Sequence, residues 1–328
     1  MSDIVRGAGG QLETLAERNY RRERTRVYAD AALSPATRKA YRQAWEAFCA
    51  WCQPRSVSAL PACPSDVADY VAWMADQGRR VSTINRSLVA VGHAHQAAGL
   101  PSPCKSPEVS LAARGIRRQV GLRVKKKKAA VLDILERMVE VTPTDLRGLR
   151  DRALLLLGFT AALRRSELVG LDVEDLEFDD RGLSILLRTS KTDQEGAGQY
   201  VGVFEEDGAP AAIREWMKAA NVASGPLFRG VDRWGHVLPD RMDGKTVWRV
   251  VKAACAAAGM DPALFGAHSL RSGFVTEAGR QGKREDETMA QTRHKHIPTY
   301  RSYRQRDSVF DHNASKGITK GLRYEHDD

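Results

Sequence analysis

Residues 149–168 read LRDRALLLLGFTAALRRSEL. From Ala153 to Leu163 the only polar side chain is Thr160. A helix that is apolar around its whole circumference belongs at the centre of a core. The run is much shorter than the ~20 residues needed to cross a bilayer, and no other stretch reaches that length. Just past it the charges return with Arg164, Arg165 and Glu167.

Downstream the hydrophobic period changes. Residues 176–178, 183–187 and 200–204 are short strand-like runs, separated by Asp179-Asp180-Arg181-Gly182 and by the polar segment 193–198. Both separators are turn chemistry, so a small three-stranded antiparallel meander is expected. Helical spacing resumes over about 209–220, 242–259, 268–281 and 284–292, and again around Tyr303. Before the central run, a helix is expected over about 131–140.

Toward the N-terminus the pattern is helical throughout. Ser34 followed by Pro35 is a good cap and first-turn pair. Tyr41, Trp45, Phe48 and Cys52 then recur on one face. Ser65 and Asp66 open a second helix that turns Val67, Tyr70, Val71 and Met74 inward and ends at Gly78. Ser82 caps a third, carrying Ile84, Leu88 and Val91 and closed by Gly99-Leu100-Pro101. A short fourth helix covers about 106–119. The expected fold is mainly α. It comprises a flexible basic arm over residues 1–30, a small all-helical domain over 31–113, a basic linker over 114–128, and an α+β domain with the small antiparallel sheet over 129–328. Two domains also suit 328 residues, since single cores stop growing near ~250–300.

The chain carries 51 basic and 41 acidic residues, a formal net charge of +10. Residues 1–128 hold 22 of the basic and 10 of the acidic ones, leaving 29 and 31 for the rest. The surplus therefore lies in the first part of the chain. Its densest block is Arg114, Arg117, Arg118, Arg123, Lys125, Lys126, Lys127 and Lys128, with no acid between them. Such a block repels itself, so it reads as an exposed strap suited to a phosphate backbone, where each contact releases counterions. Net charge alone does not separate nucleic acid from a membrane surface. The N-terminus has no apolar core of a secretory signal, and five cysteines do not make a disulfide scaffold, so a cytoplasmic, reduced protein is expected.

Four segments carry the chemistry-bearing residues, in a set order. Arg164 and Glu167 follow the core helix, and Lys191 sits between the second and third strand runs. His268 and Arg271 open a later helix, and His294 precedes Tyr303 by nine residues. Each has a bland explanation alone: a helix-end arginine satisfying carbonyls, a solvated turn lysine, a surface histidine. In this order they resemble the tyrosine recombinase (phage integrase) family, of the simple two-domain kind. That family carries an L-R-x-S-E segment, a hairpin lysine, H-x-x-R, a further His or Trp, and a tyrosine nine residues on. The helices from Ser34 onward resemble its N-terminal SAM-like, core-binding domain. Two positions depart from the pattern. Thr160-Ala161-Ala162-Leu163 stands where Thr-Gly-Leu is usual, and Arg293 stands where a glycine commonly precedes the second histidine.

The resemblance implies site-specific DNA strand exchange with no metal, nucleotide or other cofactor. The Tyr303 phenol would attack a phosphodiester, leaving a 3′-phosphotyrosyl link and a free 5′-hydroxyl, which conserves the bond energy for rejoining. His268 would act as base or proton shuttle. Arg164 and Arg271 would grip the non-bridging oxygens with forks that stay charged at any working pH. Lys191 would protonate the departing 5′-oxygen, His294 would add a hydrogen bond, and Glu167 would orient Arg164 or His268. The implied partners are double-stranded DNA with inverted-repeat target sites and further copies of the chain. Those copies would form a homotetramer on synapsed DNA and be monomeric or weakly associated when free. The implied setting is nucleoid-associated, in a prokaryote or a mobile element.

Other readings compete. Tyr300 shares a helical face with Tyr303, but the spacing from His294 favours Tyr303. Cys49 and Cys52 form a CxxC inside an amphipathic helix, which reads as packing. His294 and His296 diverge on a helix, so no metal site is expected. The tail beyond Asp307, with Val309, Phe310, Ile318 and Leu322 among polar residues, is apolar on one side and by resemblance docks on a neighbouring protomer. A catalytically silent DNA-binding protein would share the charge pattern, and the intact set of six catalytic groups argues against it.

Overall fold

The computed structural model describes residues 32–121, 127–188 and 198–303, with Val5–Arg6, Leu12–Glu13 and residues 17, 20, 21, 23, 24, 28 and 315. Within the arm expected over 1–30, Val5–Arg6 and Leu12–Glu13 pair as a minimal antiparallel ladder. The chain divides into two compact units, Met1–Val124 and Lys125–Asp328.

In the first unit, α1 (Pro35–Cys52), α2 (Pro64–Asp76), α3 (Val81–Ala97) and α4 (Pro107–Val120) enclose one core. Ser34 Oγ accepts the Thr37 N–H at 3.2 Å, the cap its sequence implies. Phe48, Trp51 and Tyr70 meet at the core's centre, with Tyr70 centred 5.0 Å from Phe48 and 5.3 Å from Trp51. Two helix starts differ from expectation. α2 begins at Pro64 after Cys63, placing Ser65 and Asp66 inside the first turn. α3 begins at Val81 after Arg80, so Ser82 lies within the helix and caps nothing. Cys52 of the CxxC packs in the core, and burial pushes the Cys52 thiol up.

The basic strap over 114–128 needs correction. Its first seven residues are the last turns of α4, because Val109, Ala113 and Ile116 bury one face at helical spacing. Arg114, Arg117 and Arg118 occupy the exposed side. The helical spacing over about 106–119 already marked this helix, and the linker boundary placed at Arg114 cut across it. Arg123, Lys125 and Lys126 lie outside the described residues. Lys127 Nζ donates to the Ala263 carbonyl, and the Lys128 N–H donates to Leu264 O at 2.8 Å, so this end is fastened to the second unit.

The second unit runs α5 (Leu132–Glu140), α6 (Leu146–Thr160), α7 (Arg165–Gly170), then β1 (Leu176–Asp179), β2 (Gly182–Leu187) and β3 (Gln199–Phe204). The three strands form an antiparallel sheet in that order, with Ile185 opposite both Leu176 and Val201. Next come α8 (Ala209–Ala219), a hairpin of β4 (Arg229–Val231) and β5 (Val237–Arg241), and helices α9 (Gly244–Ala257), α10 (His268–Arg280), α11 (Glu285–Thr292) and α12 (Ile297–Tyr303). α6 is the central helix, with Ala153, Leu154, Leu155 and Leu157 wholly buried. The β4–β5 hairpin was not anticipated. Its strands are short and polar, and Asp232 Oδ1 holds the turn by accepting from the N–H groups of Trp234 (2.8 Å) and His236 (2.9 Å). None of the described helices is long and apolar enough to cross a membrane.

α10 lies directly against backbone. The Ala130 N–H donates to Ser269 O at 2.9 Å, and a Cβ on Gly273 would fall 1.9 Å from Ala130 O. Only glycine allows this approach, which sets the depth of Arg271 two residues earlier. Gly273→Ala should therefore lower stability by about 1–3 kcal/mol or more, measured as the shift in urea midpoint.

Candidate active site

Four chain segments converge at the edge of the second core. The first is the turn that ends α6. Ala162 there is left-handed (φ 47°), and Arg164 follows as the residue that enters α7. Glu167, one turn on, accepts the Arg164 N–H through Oε2 at 2.8 Å and the Arg164 guanidinium through Oε1 at 2.6 Å. This is a capping arrangement that also fixes the side chain.

The second segment is the start of α10. His268 is on the exposed side of the first turn. Arg271 is 1 % exposed, and its guanidinium donates to the carbonyls of Ala162 and Thr292. Its Nε is buried without an acceptor. The third segment is the end of α11, where Arg293 is left-handed (φ 58°) and turns the chain so that His294 faces Arg271, with Nε2 3.4 Å from Nη2. The fourth is α12. Its Tyr303 ring lies 4.9 Å from the His294 ring, and the Arg271 guanidinium carbon lies 5.9 Å from the centre of the Tyr303 ring.

Arg164, Glu167, Arg271, His294 and Tyr303 are thus brought together. Lys191 lies outside the described residues. At the end of β2, Arg188 pairs with Asp175 at 2.6 Å and with Asp172 at 3.4 Å. Tyr300 is 1 % exposed and packs edge-on against His294, whereas Tyr303 is only partly buried. Arg293 and Thr292 were missed as members of the site. Arg293 donates to Glu167 Oε2 at 2.8 Å with both side chains 2 % exposed. The signal available was a non-glycine residue where a helix ends, a place that commonly takes glycine.

The electrostatics follow from two guanidiniums, Arg164 and Arg293, paired with one carboxylate, and a third, Arg271, held nearby by backbone carbonyls. Burial works to raise Glu167, but Arg293 and Arg164 hold its carboxyl below the usual range. Burial, with Arg164 and Arg293 nearby, pulls Arg271 down to about 9, so it remains charged at neutral pH. Burial and then the charges of Arg271, Arg164 and Arg293 hold His294 at about 4. Its imidazole is therefore neutral at pH 7. Thr292 Oγ1 donates to Thr288 O at 2.7 Å, which leaves it to accept from His294 Nδ1 at 2.7 Å. That assigns the ring proton to Nδ1 and turns the Nε2 lone pair toward Arg271. A group of cations in which Arg271 Nε and Arg293 Nε are buried without acceptors, next to a phenol, is suited to holding a phosphate beside a nucleophile. Among the described residues no three His, Cys, Asp or Glu side chains come together to hold a metal ion.

Such a site, in a helical fold with a small antiparallel sheet, is the class of a DNA strand transferase that works through a tyrosine ester. Residues 132–308 match the phage integrase family model and residues 26–99 match that of the phage integrase N-terminal SAM-like domain. The chain belongs to the phage integrase family. It is 35% identical over 286 residues to an integrase/recombinase xerD homolog of Selenomonas ruminantium, covering 85% of this chain and 84% of the relative. It is 26% identical over 270 residues to the recombinase cre of Escherichia phage P1, covering 76% and 78%. In fold it is similar to the Tn1549 transposon integrase, solved with transposon right end DNA (TM-score 0.59, 18% identity, 88% and 94% covered). The activity is site-specific DNA recombination through a covalent phosphotyrosine intermediate.

The low pKa of His294 makes stability depend on pH. Between about 6.5 and 4 the unfolded imidazole takes up a proton that the folded one refuses, so stability falls as pH falls through that window. Urea titrations at pH 7 and pH 4.5 should show this loss, and His294→Asn should shrink it.

Proposed function

We propose that Tyr303 is the nucleophile of strand cleavage and that Arg164, Arg271 and His294 bind the attacked phosphate. The observation that carries this reading is the approach of the Arg271 guanidinium to the Tyr303 ring, 5.9 Å from Cζ to the centroid, beside His294. The phenol oxygen forms the new bond to phosphorus as the bond to the 5′-oxygen breaks. His268 takes the phenol proton and Lys191 supplies one to the leaving 5′-hydroxyl. The second strand's 5′-hydroxyl reverses these steps to rejoin. No net hydrolysis or external energy is required. Fixed guanidiniums stabilise the charge that grows on the non-bridging oxygens without reorganising.

His294 meets the phosphate in a changed state. In the neutral tautomer its Nε2 accepts, so it donates to phosphate only after taking up a proton. The negative charge of the bound phosphodiester, which grows toward the transition state, favours that uptake. Tyr300 is disfavoured as nucleophile because its 1 % exposure keeps its oxygen within the fold.

The exposed Arg114, Arg117 and Arg118 on α4, with Arg123 and Lys125 to Lys128 after them, supply the sequence-independent grip on duplex DNA. The full reaction requires a homotetramer on two inverted-repeat sites, assembled from weakly associating protomers. The apolar positions Val309, Phe310, Ile318 and Leu322 support the tail beyond Asp307 as the link between protomers.

A nicked suicide substrate tests the nucleophile. Tyr303→Phe should abolish the covalent adduct and keep mobility-shift binding, while Tyr300→Phe keeps the adduct; the reverse pattern overturns the assignment. Deleting residues 308–328 should reduce synapsis and recombination far more than single-site binding, and unchanged recombination would refute the role of the tail.

A further inference from the structure

Arg293 has no place in the chemistry just described, yet it sits where an arginine is costly. Its backbone is left-handed (φ 58°, ψ 42°), a region in which a Cβ crowds the following carbonyl. Its guanidinium is buried as well, with Nε lacking an acceptor. Both features cost stability, so the remaining contacts of the side chain must offset them.

Those contacts run between two turns. Arg293 Nη1 donates to Gln291 O at 2.8 Å, within its own turn, and to Ala161 O at 3.4 Å. Nη2 donates to Ala162 O at 3.4 Å and to Glu167 Oε2 at 2.8 Å. Ala162 is itself left-handed (φ 47°), and its carbonyl also accepts from Arg271. One guanidinium thus fastens the turn that presents His294 to the turn that presents Arg164. Glu167 is divided between them: Oε1 holds the Arg164 side chain, and Oε2 holds Arg293 together with the Arg164 N–H.

We infer that Arg293 is a positioning residue of the cleavage site, which acts through Glu167 to hold Arg164 in register with His294. With its side chain 2 % exposed it touches no substrate; its effect passes through the carboxylate it shares. A bare helix cap would be served by glycine, the least strained residue there. The inference rests on Arg164 and His294 being phosphate-binding groups.

The experiment is single-turnover cleavage of a nicked suicide substrate by the full chain, with mobility-shift binding measured alongside. Arg293→Gly keeps the left-handed turn and removes the fork. Cleavage should slow about tenfold or more with DNA affinity kept, since small misplacements of a catalytic group are costly. Arg293→Lys should recover part of the loss by restoring the charge against Glu167. The Arg293→Gly, Glu167→Gln double variant should be little slower than the slower single one. Removing one cation should also move the limb of the pH–rate profile set by His294 to higher pH. Arg293→Asn, which also tolerates the left-handed region, replaces the glycine variant if that one does not fold. Wild-type cleavage by the glycine variant, multiplying effects in the double variant, or an unmoved pH profile would each overturn the inference. Arg164→Ala separates the two readings. If it cleaves normally, the phosphate-site reading fails. If it is inactive while Arg293→Gly is normal, only the positioning role fails.

Discussion

One carboxylate, Glu167, stands among three guanidiniums in a site closed to water on most sides. An active site for phosphate needs fixed positive charge, and fixed positive charge repels itself. A single buried anion lets Arg164 and Arg293 approach while leaving the group as a whole cationic. Removing one partner of such a pair commonly costs about 3–5 kcal/mol, because the other charge stays buried and uncompensated. The turn after α6, the cap of α11 and the depth of α10 are all tied to this point. The carbonyl of Ala162 accepts from both Arg271 and Arg293, so the backbone itself shares in holding the cations.

The same surplus sets the state of His294. An imidazole beside Arg271 and Arg164 in a buried site takes up no second proton at neutral pH, so the site without DNA is less cationic than its residues imply. On the proposed reading, the bound phosphodiester supplies the charge that makes protonation favourable. The net positive charge of the chain lies elsewhere, in residues 1–128, where basic residues exceed acidic ones by 22 to 10. On the proposed reading, affinity for the backbone and activation of one phosphodiester fall to different parts of the chain.

Much of this was legible in residue order. The apolar run over 153–163 marked the central helix, and alternating runs bounded by Asp and Gly marked β1, β2 and β3. Arg164, Arg271, His294 and Tyr303 were named from motif order and spacing, and they converge in the fold. The β4–β5 hairpin was not legible, because its order comes from Asp232 gripping backbone N–H groups and not from an apolar period. The start of α3 was misplaced because a serine in the first turn looks the same in sequence as a serine at the cap.

By itself, the sequence determined most of the elements and the class of chemistry and named candidate groups for it, since periodicity, turn residues and motif spacing can be read along the chain. The tertiary structure decided which of two neighbouring tyrosines faces the cations, how the proton on His294 is placed, and what Arg293 does. All three depend on burial, and the role of Arg293 rests on a contact between residues more than 100 positions apart, its pairing with Glu167. Local sequence records which group is present; only the packed core decides which charges lose their water and must find one another.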